Sequence, residues 1–283
     1  MTGTGPLSYC ASELHRHDPE RFLIALLAPA ARREDLFALY AFNLEVAKTA
    51  EVVSEPVLGQ IRLQWWRESL DGIYAGTPRR HYVVEPLARA IAHAGIERCH
   101  FEGLIDARDF QDLGDTPPAD LAALETYAAA TGGDIVSLAL MLLSVRDPDA
   151  LAIGRTAGTA YALTGLLRAL PFLLQRGRRI LPADLMARHG IADAALGSRQ
   201  ASQALRPAVA EIAALAEAHA AQARRFAAQI PRAQRSPMLH ATLAAMHLRR
   251  LRRYDYDVFR PEIAEAPRFR AVGLLRHSLS GWV

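Results

Sequence analysis

The sequence predicts an all-α fold, and three observations lead to that prediction. Apolar residues recur at helical spacing through long segments, as Leu36, Tyr40 and Leu44 do. No segment keeps the strict alternation of apolar and polar residues that a half-buried strand requires, and no repeat of fixed period is present. The breaks between the helical segments are rich in Pro, Gly and Asp, as at 114–118. With 283 residues, 51% of them hydrophobic, the chain has enough apolar material for a large core.

The predicted helices follow one another with short breaks. An early helix begins at Asp18-Pro19-Glu20, where Asp18 serves as the N-cap and Pro19 suits the first helical position. The next runs from about Arg33 to Ser54. Further helices are predicted from Pro56 to about Gly76 and at about 85–95, 97–113, 118–131, 133–145, 150–175, 205–229, 236–254 and 266–277. Since no break is long or biased enough for an interdomain linker, we expect one domain over residues 1–283, of roughly ten helices with pockets between them.

Composition and charge narrow the class of protein. Two cysteines cannot form a disulfide framework, and neither has metal-ligand spacing, so we expect a cytoplasmic protein without a secretory signal. No uncharged stretch approaches the roughly 18 to 20 residues of a membrane helix. Residues 1–145 carry 12 basic and 20 acidic side chains, whereas residues 146–283 carry 21 basic and 10 acidic ones. The basic half predicts contact with an anionic surface or with the acidic half of the same fold.

Two segments carry a resemblance to a known family. They are YAFNLEVAKTAE at 40–51, followed by RLQWWRE at 62–68, and LTGLLRALPFLLQRGRRILP at 163–182. In order and spacing they resemble the squalene/phytoene synthase family of head-to-head prenyltransferases, over roughly residues 9 to 276. The resemblance implies an isoprenoid-synthase-type helical bundle around a central cavity.

The resemblance also implies where a metal site would lie, and the residues there differ from the family pattern. In the family, aspartates of both segments hold Mg²⁺ ions that bind a prenyl diphosphate, as expected for a cation that prefers oxygen ligands. Here Ala47 and Lys48 occupy the first aspartate pair, and Glu51 alone keeps a carboxylate; Ala169 and Leu173 occupy the second motif. Because an ammonium group repels Mg²⁺, the sequence favours a non-catalytic protein with no metal and no cofactor.

Several side chains near these motifs have two interpretations each. Lys48 is either a built-in cation that replaces the metal or one half of an ion pair on its own helix. A second set consists of three arginines, Arg168, Arg176 and Arg178. They either bind an anion or form a structural network with the acidic residues of the first half of the chain. A third set either lines the cavity or packs in the core, and comprises Tyr40, Phe42 and Trp65.

The departures themselves resemble one branch of the family, the assembly factors of respiratory complex I. This resemblance implies a lipid or isoprenoid ligand, or partners among complex I subunits and assembly proteins, and a peripheral position at the inner face of the membrane. No nucleic-acid motif accompanies the basic residues, so nucleic acid is not expected as a partner. The alternative is an active prenyltransferase that binds Mg²⁺ through displaced carboxylates such as Glu45, Glu51 and Asp134.

Overall fold

Helices make up the regular structure of the chain in the parts that the computed structural model describes, which are residues 6–49, 56–112, 116–192, 204–265, 267 and 270–280. The α-helices are α1 (Tyr9–His17), α2 (Pro19–Leu26), α3 (Arg33–Ala47), α4 (Pro56–Tyr74), α5 (Val84–Ala94), α6 (Cys99–Asp112), α7 (Leu121–Ala128), α8 (Asp134–Leu142), α9 (Pro148–Gln175), α10 (Ala183–Arg188), α11 (Leu205–Phe226), α12 (Leu239–Arg253), α13 (Pro261–Ala264) and α14 (Arg270–Ser280). The predicted all-α class is confirmed in these ranges.

Local sequence sets several helix ends. The side chain of Asp18 accepts a hydrogen bond from the Arg21 amide at 3.1 Å, and Pro19 occupies the first position of α2, as predicted. Asp147 caps α9 in the same way, ahead of Pro148. α5 ends at Gly95, whose φ of 62° lies in the left-handed region that favours glycine.

α9 is the central helix of the bundle. It packs against α11, α8, α12 and the turn that precedes α8. Among the described residues it is the helix that is long and apolar enough to cross a membrane by length and composition. Its contacts with four neighbouring elements are those of a core helix in a helical bundle.

The segment predicted as two helices with a break between them is continuous. α7 leads into a π-helical turn, Ala129–Gly133, which leads directly into α8. The turn lies against α9: a Cβ atom at Gly132 would come within 2.9 Å of the Gly158 carbonyl oxygen, and one at Gly133 within 2.8 Å of the Arg155 carbonyl oxygen. The two glycines therefore allow a close backbone approach rather than a break in the helix.

The apolar core forms two main clusters. One contains buried residues of α1, α3, α5 and α6, and the other contains buried residues of α9, α11 and α12. The cavity described next lies where α2, α3 and α6, from the first half of the chain, face α7 and α9. The fold thus places the cavity between two groups of helices, α2, α3 and α6 on one side and α7 and α9 on the other.

Candidate ligand-binding cavity

A cavity of about 250 Å³ runs along one face of α9. On that helix its lining extends from Tyr161 to Leu173 and continues to Arg176, just past the helix end. At a rise of 1.5 Å per residue, the fifteen steps from Tyr161 to Arg176 span about 22 Å. The cavity is therefore elongated, with one end at Tyr161 and the other at Arg176.

The charge of the cavity wall has one sign among the residues that the structure describes. Five arginines line it, and no aspartate or glutamate does; the arginines are Arg21, Arg108, Arg176, Arg178 and Arg179. Apolar groups such as those of Leu124 and Leu166 cover much of the remaining wall. Guanidinium groups bind phosphate and carboxylate oxygens and repel divalent cations. This wall suits an anionic amphiphile.

Arg21 is held rigidly at the Tyr161 end. Its Nη1 donates to Oδ2 of Asp18 at 3.1 Å, and its guanidinium carbon lies 5.8 Å from the ring centre of Tyr40 and 5.5 Å from that of Tyr161. The side chain is 12% exposed. Two aromatic faces and one carboxylate thus fix this cation in the cavity wall.

A buried polar network lies behind Tyr161. The Tyr161 hydroxyl donates to Oε2 of Glu20 at 2.7 Å, and Nε2 of His247 donates to Oε1 at 2.8 Å. Nη1 of Arg168 lies 3.8 Å from the same carboxylate. Burial disfavours the charge on Glu20, but the His247 hydrogen bond, the Arg168 charge and the Tyr161 hydroxyl outweigh it and lower the pKa of Glu20 to about 2. Burial, followed by the Glu20 charge, raises the pKa of Tyr161 well above its usual value.

The opposite end of the cavity is formed where α9 stops. Gly177 adopts a φ of 72°, in the left-handed region, and the Arg178 amide returns to the Leu173 carbonyl at 2.9 Å. This turn sets Arg176, Arg178 and Arg179 along the cavity wall. The cluster of three cations at this end is thus a product of the helix C-terminus.

The structure brings together five of the predicted site residues. Ala47, Ala169, Leu173, Arg176 and Arg178 all line the cavity. The other residues at the motif positions do not join them: Glu51 lies outside the described residues, and Lys48 is not among the cavity-lining residues.

Within the described residues, Glu45 does not form the ion pair with Lys48 that is its alternative interpretation. Glu45 instead pairs with Arg62 of α4, with 3.7 Å between Oε2 and Nη2. No ion pair links Lys48 to any residue in the described ranges. The other carboxylate three positions from Lys48, Glu51, lies outside the described residues, so the two interpretations of Lys48 stay as predictions.

Arg168 requires a correction, because it is structural rather than part of an anion site. Its Nε donates to the Ile263 carbonyl at 3.4 Å and its Nη2 to the Ala264 carbonyl at 3.3 Å. Together with the contact to Glu20, these bonds tie α9 to α2 and α13. Arg168 thus belongs to the network with the acidic half that the sequence left as its other interpretation.

The three aromatic residues proposed for the lining also lie elsewhere. Tyr40 and Phe42 are fully buried, and Phe42 packs edge-on against Trp66 and Phe101. Trp65 contacts Trp66 and His81 and does not reach the cavity. The lining role is therefore corrected to core packing for Tyr40 and Phe42: Phe42 faces Trp66 and Phe101, whereas Tyr40 packs against His240 of α12 and lies beside the Arg21 guanidinium.

Two of the displaced carboxylates of the prenyltransferase alternative are engaged elsewhere, and the third, Glu51, lies outside the described residues. Glu45 pairs with Arg62, as noted, and Asp134 pairs with Arg155 at 2.5 Å. Neither carboxylate is among the cavity-lining residues. Within the described ranges, no group of three or more His, Cys, Asp and Glu side chains is arranged to hold a metal ion.

Sequence reasoning missed five polar residues of the wall, which are Arg21, Arg108, Tyr127, Thr131 and Tyr161. Arg21 directly follows the predicted cap, and Arg108 lies between two acidic residues, so each has a local sequence typical of a surface. Nη1 of Arg108 donates to the Tyr127 hydroxyl at 3.2 Å across the cavity wall. No local signal distinguishes these residues, since their placement depends on how α2, α6 and α9 cross.

The helical architecture and the central cavity define an isoprenoid-synthase-type protein. The structure is similar to that of a dehydrosqualene synthase, with a TM-score of 0.82 and 21% identity over 96% of this chain and 95% of that one. It is also similar to that of squalene synthase from Alicyclobacillus acidocaldarius, with a TM-score of 0.77 and 20% identity over 88% of this chain and 93% of that one. These likenesses establish the fold.

Sequence comparison establishes the family. The squalene/phytoene synthase family model matches residues 14–270. NADH dehydrogenase (ubiquinone) complex I, assembly factor 6, of Bos taurus is 30% identical over 263 residues, which are 93% of this chain and 79% of that protein. The chain belongs to the squalene/phytoene synthase family, and its relatives include this complex I assembly factor.

Proposed function

We propose that this protein is a non-catalytic family member that assists the assembly of respiratory complex I and holds an anionic lipid or isoprenoid in its central cavity. One observation carries the ligand part of the proposal: in the described residues, five arginines line the cavity and no carboxylate does. Such a wall binds an anionic head group directly, without a bridging metal.

The side chains at the family's metal positions support the loss of catalysis. Ala47 and Ala169 present methyl groups to the cavity, and Leu173 presents an isobutyl group. None of these groups has an oxygen for Mg²⁺, which needs several hard oxygen ligands. Ionisation of an allylic diphosphate needs a stabilised leaving group, and alkyl side chains do not supply that stabilisation.

The assembly role rests on similarity to a relative of stated function. The similarity to complex I assembly factor 6 extends over 93% of this chain, so it includes both halves of the cavity wall. We propose complex I subunits or assembly proteins as partners. We also propose a cytoplasmic protein that works peripherally at the inner face of the membrane, where its basic half would meet anionic lipid.

A thermal-shift titration tests the ligand. Farnesyl and geranylgeranyl diphosphate are added separately, each with and without Mg²⁺. We expect stabilisation without metal, because binding to the folded state raises the melting temperature by mass action. Arg176→Gln should weaken this stabilisation, whereas Arg225→Gln, a matched change of charge on exposed Arg225 of α11, should not. Stabilisation that requires Mg²⁺ would contradict the proposal and favour the prenyltransferase alternative.

A gene deletion tests the assembly role. We expect native gels of membranes from the deletion strain to show less assembled complex I, and the wild-type gene to restore it. Complementation by Ala169→Phe, which fills the cavity, shows whether the ligand is needed for assembly. Normal levels of complex I in the deletion strain would contradict the role.

A further inference from the structure

The two ends of the cavity differ in a way that an amphiphile with a single head group does not explain. Arg176, Arg178 and Arg179 lie at one end, and Arg21 lies at the other, beside Tyr161. The apolar side chains of Leu166 and Leu173 line the length between them. The separation along α9 is about 22 Å, which is too far for one phosphate or diphosphate group to contact both ends.

The polar atoms around Arg21 are not all satisfied by the protein. Nε of Arg21, the hydroxyl of Tyr40 and Nε2 of His240 are buried without a hydrogen-bond partner among the described residues. They belong to one cluster, because the His240 ring centre lies 5.9 Å from that of Tyr40 and 5.0 Å from that of Tyr161, and Arg21 lies over both tyrosines. Of these three side chains only Arg21 lines the cavity, whereas Tyr40 and His240 are fully buried beside it, so a polar partner supplied from the cavity would meet Arg21.

The chemistry of Arg21 defines what that partner carries. Its guanidinium offers only hydrogen-bond donors, so it matches an acceptor oxygen. A charged carboxylate complements the guanidinium of Arg21 both as a hydrogen-bond acceptor and in charge.

We propose that the cavity takes a bipolar amphiphile, with an anionic head group at the Arg176 end, an apolar chain along α9 and an oxygen-bearing polar group, such as a carboxylate, against Arg21. This inference rests on the proposed function and narrows its ligand class. An isoprenoid or lipid chain that ends in hydrocarbon leaves Arg21 without a ligand partner.

The test compares two probes that differ at one end. Hexadecanedioic acid carries a carboxylate at each end of its chain, and hexadecanoic acid carries one. Calorimetric titration of the full chain at neutral pH, below the micelle concentration of each acid, gives the two dissociation constants. We expect the diacid to bind about tenfold more tightly, the value of one additional hydrogen bond to a charged group.

Variants assign the difference to the two ends of the cavity. Arg21→Gln should reduce the ratio of the two dissociation constants to within about twofold and leave the affinity for hexadecanoic acid unchanged. Arg21→Lys should keep most of the preference for the diacid, because the charge remains. Arg176→Gln should weaken the binding of both acids by the same factor. Arg16→Gln, an equivalent charge change on exposed Arg16 of α1, serves as the control and should change neither dissociation constant.

Three results would overturn the inference. They are equal affinity of the two acids for the wild type, a diacid preference that survives Arg21→Gln, and no binding of either acid. The proposed function is judged separately by the prenyl diphosphate titration. Metal-free stabilisation by farnesyl diphosphate together with equal affinity of the two acids would reject the bipolar ligand and keep the anionic one.

Discussion

The carboxylate of Glu20 in α2 accepts a hydrogen bond from Nε2 of His247 in α12 over 2.8 Å, although 227 residues separate them. Both side chains are almost fully buried, at 6% and 2% exposure. Burial lowers the pKa of His247, so the imidazole is neutral and donates to an ionised carboxylate. The same carboxylate accepts the Tyr161 hydroxyl, so the pair supports one wall of the cavity from behind.

Glu20→Gln should destabilise the fold at neutral pH. The folded pKa of Glu20 is about 2, below its ordinary value of 4.5. Its contribution is therefore present above pH 4.5 and is lost as the pH falls towards 2. Removing the charge leaves Arg168 with less compensation, so we expect a loss of about 3 kcal/mol at pH 7 by urea denaturation. If the variant lost stability between pH 4.5 and 2 as steeply as the wild type, Glu20 would not be the group that titrates.

His240→Asn should flatten the acid side of the stability profile. Burial lowers the pKa of His240 from 6.5 to about 3. As the pH falls below 6.5 the unfolded chain takes up a proton at this residue and the folded chain does not, so stability falls by about 1.4 kcal/mol per pH unit. Asparagine keeps a donor towards the Pro237 carbonyl and removes the titration. Urea denaturation between pH 6.5 and 5 measures the slope, and exposed His100→Asn is the control. An unchanged slope in His240→Asn would contradict the assignment.

Gly158→Ala should be strongly destabilising, whereas Gly103→Ala should not. A Cβ atom at Gly158 would come within 2.8 Å of the Gly133 Cα, where two backbones meet. We expect a loss of about 2 to 3 kcal/mol, since neither helix has room to move. Gly103, in α6, has nothing within 4 Å of the same position, so alanine should stabilise by about 0.5 to 1 kcal/mol. Equal melting temperatures for the two variants would show that α8 and α9 separate readily.

Arg168→Gln and Arg176→Gln should have opposite effects. Arg168 compensates Glu20 and binds the Ile263 and Ala264 carbonyls, so its loss should cost about 2 kcal/mol of stability and change ligand affinity little. Arg176 lines the cavity and makes no ion pair with a described residue, so its loss should change stability by less than about 0.5 kcal/mol and weaken ligand binding. Melting curves with and without farnesyl diphosphate separate the two effects. A ligand effect of Arg168→Gln equal to that of Arg176→Gln would place Arg168 in the site after all.

Features set by local sequence were predictable. α3 begins at Arg33, as its apolar spacing indicated, and α9 occupies Pro148–Gln175, close to the predicted 150–175. The cap at Asp18 was recognised because Asp followed by Pro has a local stereochemical effect. The central cavity and the positions of Ala47 and Ala169 in its wall followed from the family resemblance.

Features set by helix crossings were not predictable. The π turn at Ala129–Gly133 read as a break, because a glycine pair gives the same sequence signal whether it ends a helix or admits a neighbouring backbone. Tyr40 and Phe42 remained ambiguous because periodicity identifies a buried face but not the neighbour that buries it. Arg21 was missed for the same reason: its partners Tyr40 and Tyr161 lie 19 and 140 residues away.

The pairing of Glu20 with His247 has a consequence for how the chain is made. A ribosome adds about 5 to 20 residues per second, so about 10 to 45 s pass between the synthesis of the two residues. Throughout that interval α2 exists without the helix that completes its burial. The N-terminal half of the nascent protein therefore waits in an unfinished state, and chaperones that protect exposed apolar surface have that time in which to engage it.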